Sequence, residues 1–184
     1  MPKTVLNIAA GYIPLLAVDF DHRCDVTRLI NFDPLDDSEP TNALKAALNC
    51  LAGGLQGAPG PADIEYFNTR ETTTEAIGND RIDLTMAVSP FGFAVVDEWN
   101  DALMNVGSYV MLFGNQSNKF IKQNNAFTVA VRNKYQELTE GLVDGLEDWL
   151  GNIASHVLWG YSSYLTAMND TTILHRCRIY KKIE

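Results

Sequence analysis

"RIDLTMAV", residues 81–88, is the stretch on which the fold turns. Ile82, Leu84, Met86 and Val88 fall at every second position, and Arg81, Asp83 and Thr85 fill the positions between them. Successive side chains of a strand point to opposite faces, so this period of two predicts a strand with one apolar and one polar face. The expected setting is a mainly antiparallel sheet.

Working outward, "SPFG" at 89–92 is a turn. "VVDEWNDALMNV" at 95–106 reads as a helix and "SYVMLF" at 108–113 as a strand. "GNQSNKFIKQNN" at 114–125 is polar enough for an exposed loop or hairpin tip, and "AFTVAVRN" at 126–133 reads as a further strand. Upstream, "DIEYFNTRETTTEAIG" at 63–78 begins as a strand, and its threonines favour extended structure. Near the start, "KTVLNIA" and "IPLLAVDF" are two apolar runs broken by "AGY", which suggests a strand pair. "HRCDVTRLINF" at 22–32 extends the second of these or begins a third.

"DPLDDSEP" at 33–40 is a turn-rich acidic loop. Pro34 and Pro40 exclude a helix interior, and Asp33, Asp36, Asp37 and Glu39 lack the spacing of a calcium loop. Leu44, Leu48, Leu51 and Leu55 then make the stripe of a helix that Gly53 and Gly54 end. The longest periodic signal comes later. Leu138, Leu142, Val143, Leu146, Trp149, Leu150, Ile153, Val157 and Leu158 follow steps of three and four, as in an amphipathic helix packed on a sheet. "TTILHRCRIYKKI" at 171–183 is the closing strand.

The chain holds three histidines and three cysteines, yet His-Arg-Cys occurs twice, as His22 with Cys24 and His175 with Cys177. Residues two apart on a strand share a face. Two such strands side by side would gather two imidazoles and two thiols. Three arrangements are open: a tetrahedral zinc site, a Cys24–Cys177 disulfide, or independent roles in core and surface. Nucleophilic catalysis finds no G-x-S-x-G elbow, and no G-x-G-x-x-G follows a strand. Asp97–Glu98 and Glu147–Asp148 are sequence neighbours, which diverge on a helix and make no acid–base pair. His156, beside an apolar helix face, reads as a packed residue.

The formal charge of -9 makes the chain acidic, and a phosphate backbone repels an acidic protein. No specific nucleic-acid binding is expected. No apolar run approaches the roughly 18 residues that cross a bilayer, so no membrane partner is expected either. The Pro14- and Gly11-interrupted start reads as mature structure rather than a signal peptide.

"AFTVAVRNKYQELTEGLVDGLEDWL", residues 126–150, resembles the strand–helix element of contractile-phage tail-tube proteins and the related neck and tail-terminator proteins. The resemblance implies a ring-forming structural subunit of a virion, at the tail or the head–tail junction, surrounding a DNA conduit. Its partners would be copies of itself and other virion proteins, and it would be neither an enzyme nor a cofactor protein. Beside it stands the alternative of a small cytoplasmic zinc-binding protein or enzyme built on His22, Cys24, His175 and Cys177. The expected fold is α+β. It has a mainly antiparallel, sandwich-like sheet, one long amphipathic helix and one or two shorter ones. The chain is expected to be a single domain over 1–184 whose first and last strands serve as arms.

Overall fold

The computed structural model describes residues 3–8, 26–33, 63–88, 90, 92–114, 118–138 and 176–184. Seven strands form one sheet: β1 (Lys3–Ile8), β2 (Val26–Phe32), β3 (Asp63–Phe67), β4 (Ile82–Val88), β5 (Met104–Gly114), β6 (Tyr135–Leu138) and β7 (Arg176–Lys182). Three described α-helices join them: α1 (Arg70–Ile77), α2 (Glu98–Leu103) and the single turn α3 (Gln123–Ala126).

The order across the sheet is β3-β2-β1-β4-β5-β7-β6. Strands β1 to β5 pair in parallel throughout. Only β7 runs the other way, antiparallel to both β5 and β6. This is an α/β, Rossmann-like sheet. It corrects the expected α+β sandwich, and the supposed hairpin near the start goes with it, because β1 and β2 are parallel.

The correction begins at residues 81–88. The strand is where the alternation places it, but both of its faces are covered. Ile82, Leu84 and Met86 are buried, and so are Thr85 and Ala87 from the other face. The Thr85 hydroxyl donates to the Met104 sulfur at 3.3 Å, which lets a polar residue sit inside. A central parallel strand is enclosed on both faces. One threonine inside it imitates the polar face of a half-exposed strand.

Opposite β4, strand β5 carries extra residues. Ile82 pairs with Met104 but Leu84 with Tyr109, so the ladder skips within β5. Gly107, at φ 96°, supplies the left-handed conformation that this bulge needs. Ser108 donates its hydroxyl to the Ile82 carbonyl at 2.8 Å and closes the irregular stretch.

The threonine-rich segment is a helix, not extended chain. Thr69 is the N-cap of α1, its hydroxyl oxygen accepting from the Thr72 amide at 3.2 Å. Thr73 and Thr74 turn their hydroxyls back onto the carbonyls of Thr69 and Arg70, at 2.6 and 2.7 Å. Those bonds offset the weak helix propensity of β-branched residues. Gly78, at φ 59°, then ends the helix.

"AFTVAVRN" is not a strand either. Only Phe127 bridges, to Val96. The chain then turns through hydrogen bonds from the Val131 and Arg132 amides to the Thr128 carbonyl, leaving Val129 80% exposed. The long helix read from Leu138 cannot include that residue, which ends strand β6. The rest of that periodic run lies outside the described residues, as do the helix read at 42–55 and the run 13–20.

One core lies on the α1 and α2 face of the sheet. Leu6, Ile8, Ile30, Phe32, Val110, Leu112 and Tyr180 pack there with Ile77, Val96, Ile121 and Phe127. Val5, Leu29, Leu84, Met86, Met111 and Ile179, from the other face, are also buried.

Candidate functional site

In an open parallel sheet, the crevice that takes ligands lies beyond the carboxyl ends of the strands, where the strand order reverses. Here β1 connects onward to β2 and β3 on one side, while β4 and β5 lie on the other. The reversal falls between β1 and β4, so the crevice opens beyond Ile8 and Val88.

Three residues define its β2 and β3 side. Asn7 and Asn31 are register partners on β1 and β2, both buried, and the Asn7 amide donates to the Asn31 side-chain oxygen at 2.9 Å. The Asn31 amide in turn donates to the Glu65 carbonyl of β3 at 3.3 Å. This polar ladder ties three strands together one residue before β1 and β2 end. Asp33 follows directly on β2 and is only 8% exposed. Its backbone N–H donates to the Phe67 carbonyl at 3.1 Å, which holds the main chain of Asp33 at the carboxyl end of the sheet.

Below this rim the two helices are pinned together. Trp99 lies against Phe32 with ring centroids 5.0 Å apart, and its indole N–H donates to the Thr74 hydroxyl at 2.9 Å. Arg70 stacks over Trp99 at 5.2 Å and pairs with Asp97 at 2.5 Å. Asp97 is also the N-cap of α2 and completes a capping box with Asn100. The Asp97–Glu98 pair is therefore structural. Asp97 caps, and Glu98 accepts from the Thr128 hydroxyl at 2.9 Å. On the β4 and β5 side, the Asn118 amide donates to the carbonyl of Pro90, in the turn after β4, at 3.1 Å.

A second titratable cluster sits at the opposite end of β5. Asp101 accepts from Lys134 at 2.6 Å, from Tyr135 at 2.8 Å and from Lys182 at 2.8 Å. Burial pushes the Asp101 carboxyl up, but the bonds from Lys134, Lys182 and Tyr135 outweigh it and hold the group below its usual range. Burial and the same carboxylate push the Tyr135 phenol far up. These groups hold α2, β6 and β7 together.

Of the residues proposed from sequence, His22, Cys24 and His175 lie outside the described residues. Cys177 stands in β7, in register with Phe113 of β5. The sheet neighbours of β7 are β5 and β6, and β1, β4 and β5 separate it from β2. Among the described residues no group of three or more His, Cys, Asp or Glu could hold a metal ion. His156, Glu147, Asp148, Asp36, Asp37 and Glu39 also lie outside them.

Asp33 is the residue that sequence reading misplaced, as one carboxylate of a solvated loop. The signal was present. An apolar run, "RLINF", ends directly in that acid.

No family model matches the chain, and no curated protein matches it. Solved structures do. One is the Thermus thermophilus 16S rRNA N2 G1207 methyltransferase RsmC in complex with AdoMet and guanosine. It is 12% identical, with a TM-score of 0.43, over 99% of this chain and 38% of that one. The chain thus spans well under half of RsmC. Another is the 16S rRNA methyltransferase KamB, 13% identical with a TM-score of 0.45, over 99% of this chain and 88% of that one. A third is an antibiotic-related methyltransferase, 12% identical with a TM-score of 0.44, over 98% and 85%.

The expectations built on a sandwich are corrected with it. A ring-forming virion subunit at a tail or head–tail junction needs the antiparallel sheet and free edge strands of that reading. Here β1 is central and β7 lies between two strands. The resemblance to tail-tube proteins falls with that sheet, and with it the virion location, the ring partners and the non-enzymatic role that it implied. The zinc-protein alternative gains no support either. The expectation against nucleic acid is corrected too, because it rested on the net charge of the whole chain. The 23 carboxylates leave residues 102–136 without a single one.

Proposed function

We propose that the chain is a methyltransferase that uses S-adenosylmethionine, bound in the crevice between β1 and β4. The observation that carries the reading is the sheet itself, whose order reverses at that crevice and whose neighbouring strand ends in a fixed, nearly buried Asp33. A carboxylate at that place suits the two hydroxyls of a ribose, as it accepts from both. The crevice therefore fits a nucleoside.

The kind of nucleoside follows from charge. A dinucleotide or nucleoside triphosphate needs a glycine-rich amide cradle or a lysine for its phosphates. The sequence after β1, "AAGYIPLL", has neither, and the chain carries a formal charge of -9. A nucleoside with no phosphate and a cationic centre meets both conditions. S-adenosylmethionine is such a molecule, and when bound it supplies an electrophilic methyl group on a sulfonium sulfur.

The chain's own part is then to bind and orient. Asp33 would hold the ribose. The Asn7–Asn31 ladder keeps the ends of β1 and β2 at fixed separation, so that the carboxylate does not drift. Pro90 and Asn118 form the rim on the far side, where a methyl acceptor would approach.

Calorimetric titration with S-adenosylmethionine and S-adenosylhomocysteine tests this. Micromolar binding is expected, with a loss of at least about tenfold in Asp33→Ala, in line with about 1.5–3 kcal/mol for a hydrogen bond to a charged group. Binding of NADH or ATP in place of either sulfur nucleoside would sink the reading.

A further inference from the structure

We infer that the face made by residues 118–134 holds the phosphate backbone of a nucleic-acid substrate beside the crevice. The inference deepens the methyltransferase reading by naming a substrate class, and it rests on that reading only for the role of the crevice.

The observation is an uneven distribution of charge. No carboxylate occurs anywhere in residues 102–136, although the chain has 23. Within that span lie Lys119, Lys122, Arg132 and Lys134. Of these only Lys134 has a carboxylate partner among the described residues, namely Asp101. Lys119 and Lys122 are exposed. Arg132 is drawn inward, donating to the Asn124 and Phe127 carbonyls at 2.7 and 3.4 Å, and so shapes the loop that presents the lysines. Glu98 of α2 reaches this face at Thr128, and Lys119, Lys122 and Arg132 outnumber it. A local positive field on a strongly acidic body does more than attract. The rest of the surface repels a polyanion and so orients it.

The fold places this face at the crevice. Asn118 begins the segment and bonds to Pro90, in the turn after β4. Its side-chain oxygen accepts from the Phe120 amide at 2.9 Å, fixing the turn that carries Lys119. The Asn125 side chain reaches back to the Lys119 carbonyl at 3.1 Å. From beneath, Tyr180 of β7 donates its hydroxyl to the Ile121 carbonyl at 2.8 Å. The two exposed lysines thus stand on a braced loop next to the rim of the crevice.

Nucleic acid fits this face better than an acidic protein does. The same segment carries the exposed residues Asn124 and Asn133 and the partly exposed Phe120, over whose ring Lys119 stands at 5.5 Å. Amides both donate and accept, as base edges require. The carboxylates of an acidic peptide only accept, so its side chains would use the cations and leave the donors of a base edge without a counterpart.

The test is binding of a fluorescein-labelled, mixed-sequence single-stranded RNA of 20 nucleotides, titrated at several salt concentrations. For single strands, log K falls with log salt by about 0.7 per phosphate neutralised. Lys119→Glu with Lys122→Glu should weaken binding at least about tenfold and flatten the slope by about 1.4. The neutral pair Lys119→Gln with Lys122→Gln should move both in the same direction by less. Lys181→Glu, on the opposite face of β7 over Tyr109, should leave both unchanged. Circular dichroism checks that each variant is folded.

Equal loss in Lys181→Glu would reduce the effect to bulk charge and overturn the inference. So would the absence of RNA binding by the wild-type chain at low salt, or equally tight binding of a glutamate polymer. If the RNA results hold but no sulfur nucleoside binds, the crevice reading fails and the face stands.

Discussion

Replacing Asp101 by asparagine probes the tightest polar cluster in the molecule. The Asp101 side chain is 6% exposed, and that of Lys182 is 8% exposed. The two lie 2.8 Å apart, and Lys182 also donates to the Asp101 and Met104 carbonyls at 2.8 and 3.1 Å. In Asp101→Asn the Lys182 charge stays buried with two carbonyls and no counter-charge. The amide also offers one acceptor oxygen to three donors and turns its NH2 toward a cation. Breaking a buried pair from one side costs about 3–5 kcal/mol, because the surviving charge is left uncompensated. For a chain of this length that lowers Tm by about 10 °C. Replacing both members, as Asp101→Leu with Lys182→Met, removes the stranded charge and should cost less than Asp101→Asn alone.

Urea unfolding followed by circular dichroism measures both variants against the wild-type chain. The pH dependence is a second check. The folded Asp101 carboxyl lies below its usual range, so its contribution is present above that range and is lost as pH falls through the folded value. Asp101→Asn should flatten this acid limb. A cost below about 1 kcal/mol for Asp101→Asn, or a double variant that costs as much as Asp101→Asn, would refute the reasoning.

Two further outcomes are expected. Asp97→Ala removes the acceptor for the Trp99 and Asn100 amides and for Arg70, and should cost about 1–2 kcal/mol in the same unfolding measurement. Burial, with Glu137 nearby, pushes the Tyr180 phenol up to about 12. A raised phenol stabilises fully below the usual 10.0 and loses that contribution as pH rises toward 12, so stability should fall across that window and recover in part in Tyr180→Phe. Ionisation of Tyr180 near pH 10, read by ultraviolet absorbance, would contradict the burial argument.

Local periodicity found β1, β4, β7 and most of the α2–β5 segment, because apolar spacing depends on which side chains a segment must bury. It failed where a polar group was satisfied inside the fold. Thr85 is buried on a sulfur contact, and the hydroxyls of Thr73 and Thr74 are spent on their own helix. Neither can be told from a solvent-facing threonine by spacing. Strand direction was illegible for a related reason. Whether β1 and β2 run parallel depends on how the chain crosses the sheet between them, and a strand of either direction shows the same alternation.

The candidate site divides in the same way. Its ingredients were in the chain order: an acid closing an apolar run at Asp33, and a carboxylate-free span from 102 to 136. A sequence by itself determines which residues carry charge and which segments must be buried, since both are properties of side chains in order. Only the tertiary structure decided that Asp33 ends a strand next to the reversal of a parallel sheet, and that Asn118 ties the basic face to the rim of the same crevice. Those neighbours are far apart in the chain, and pairing between distant strands is set by packing rather than by any local preference.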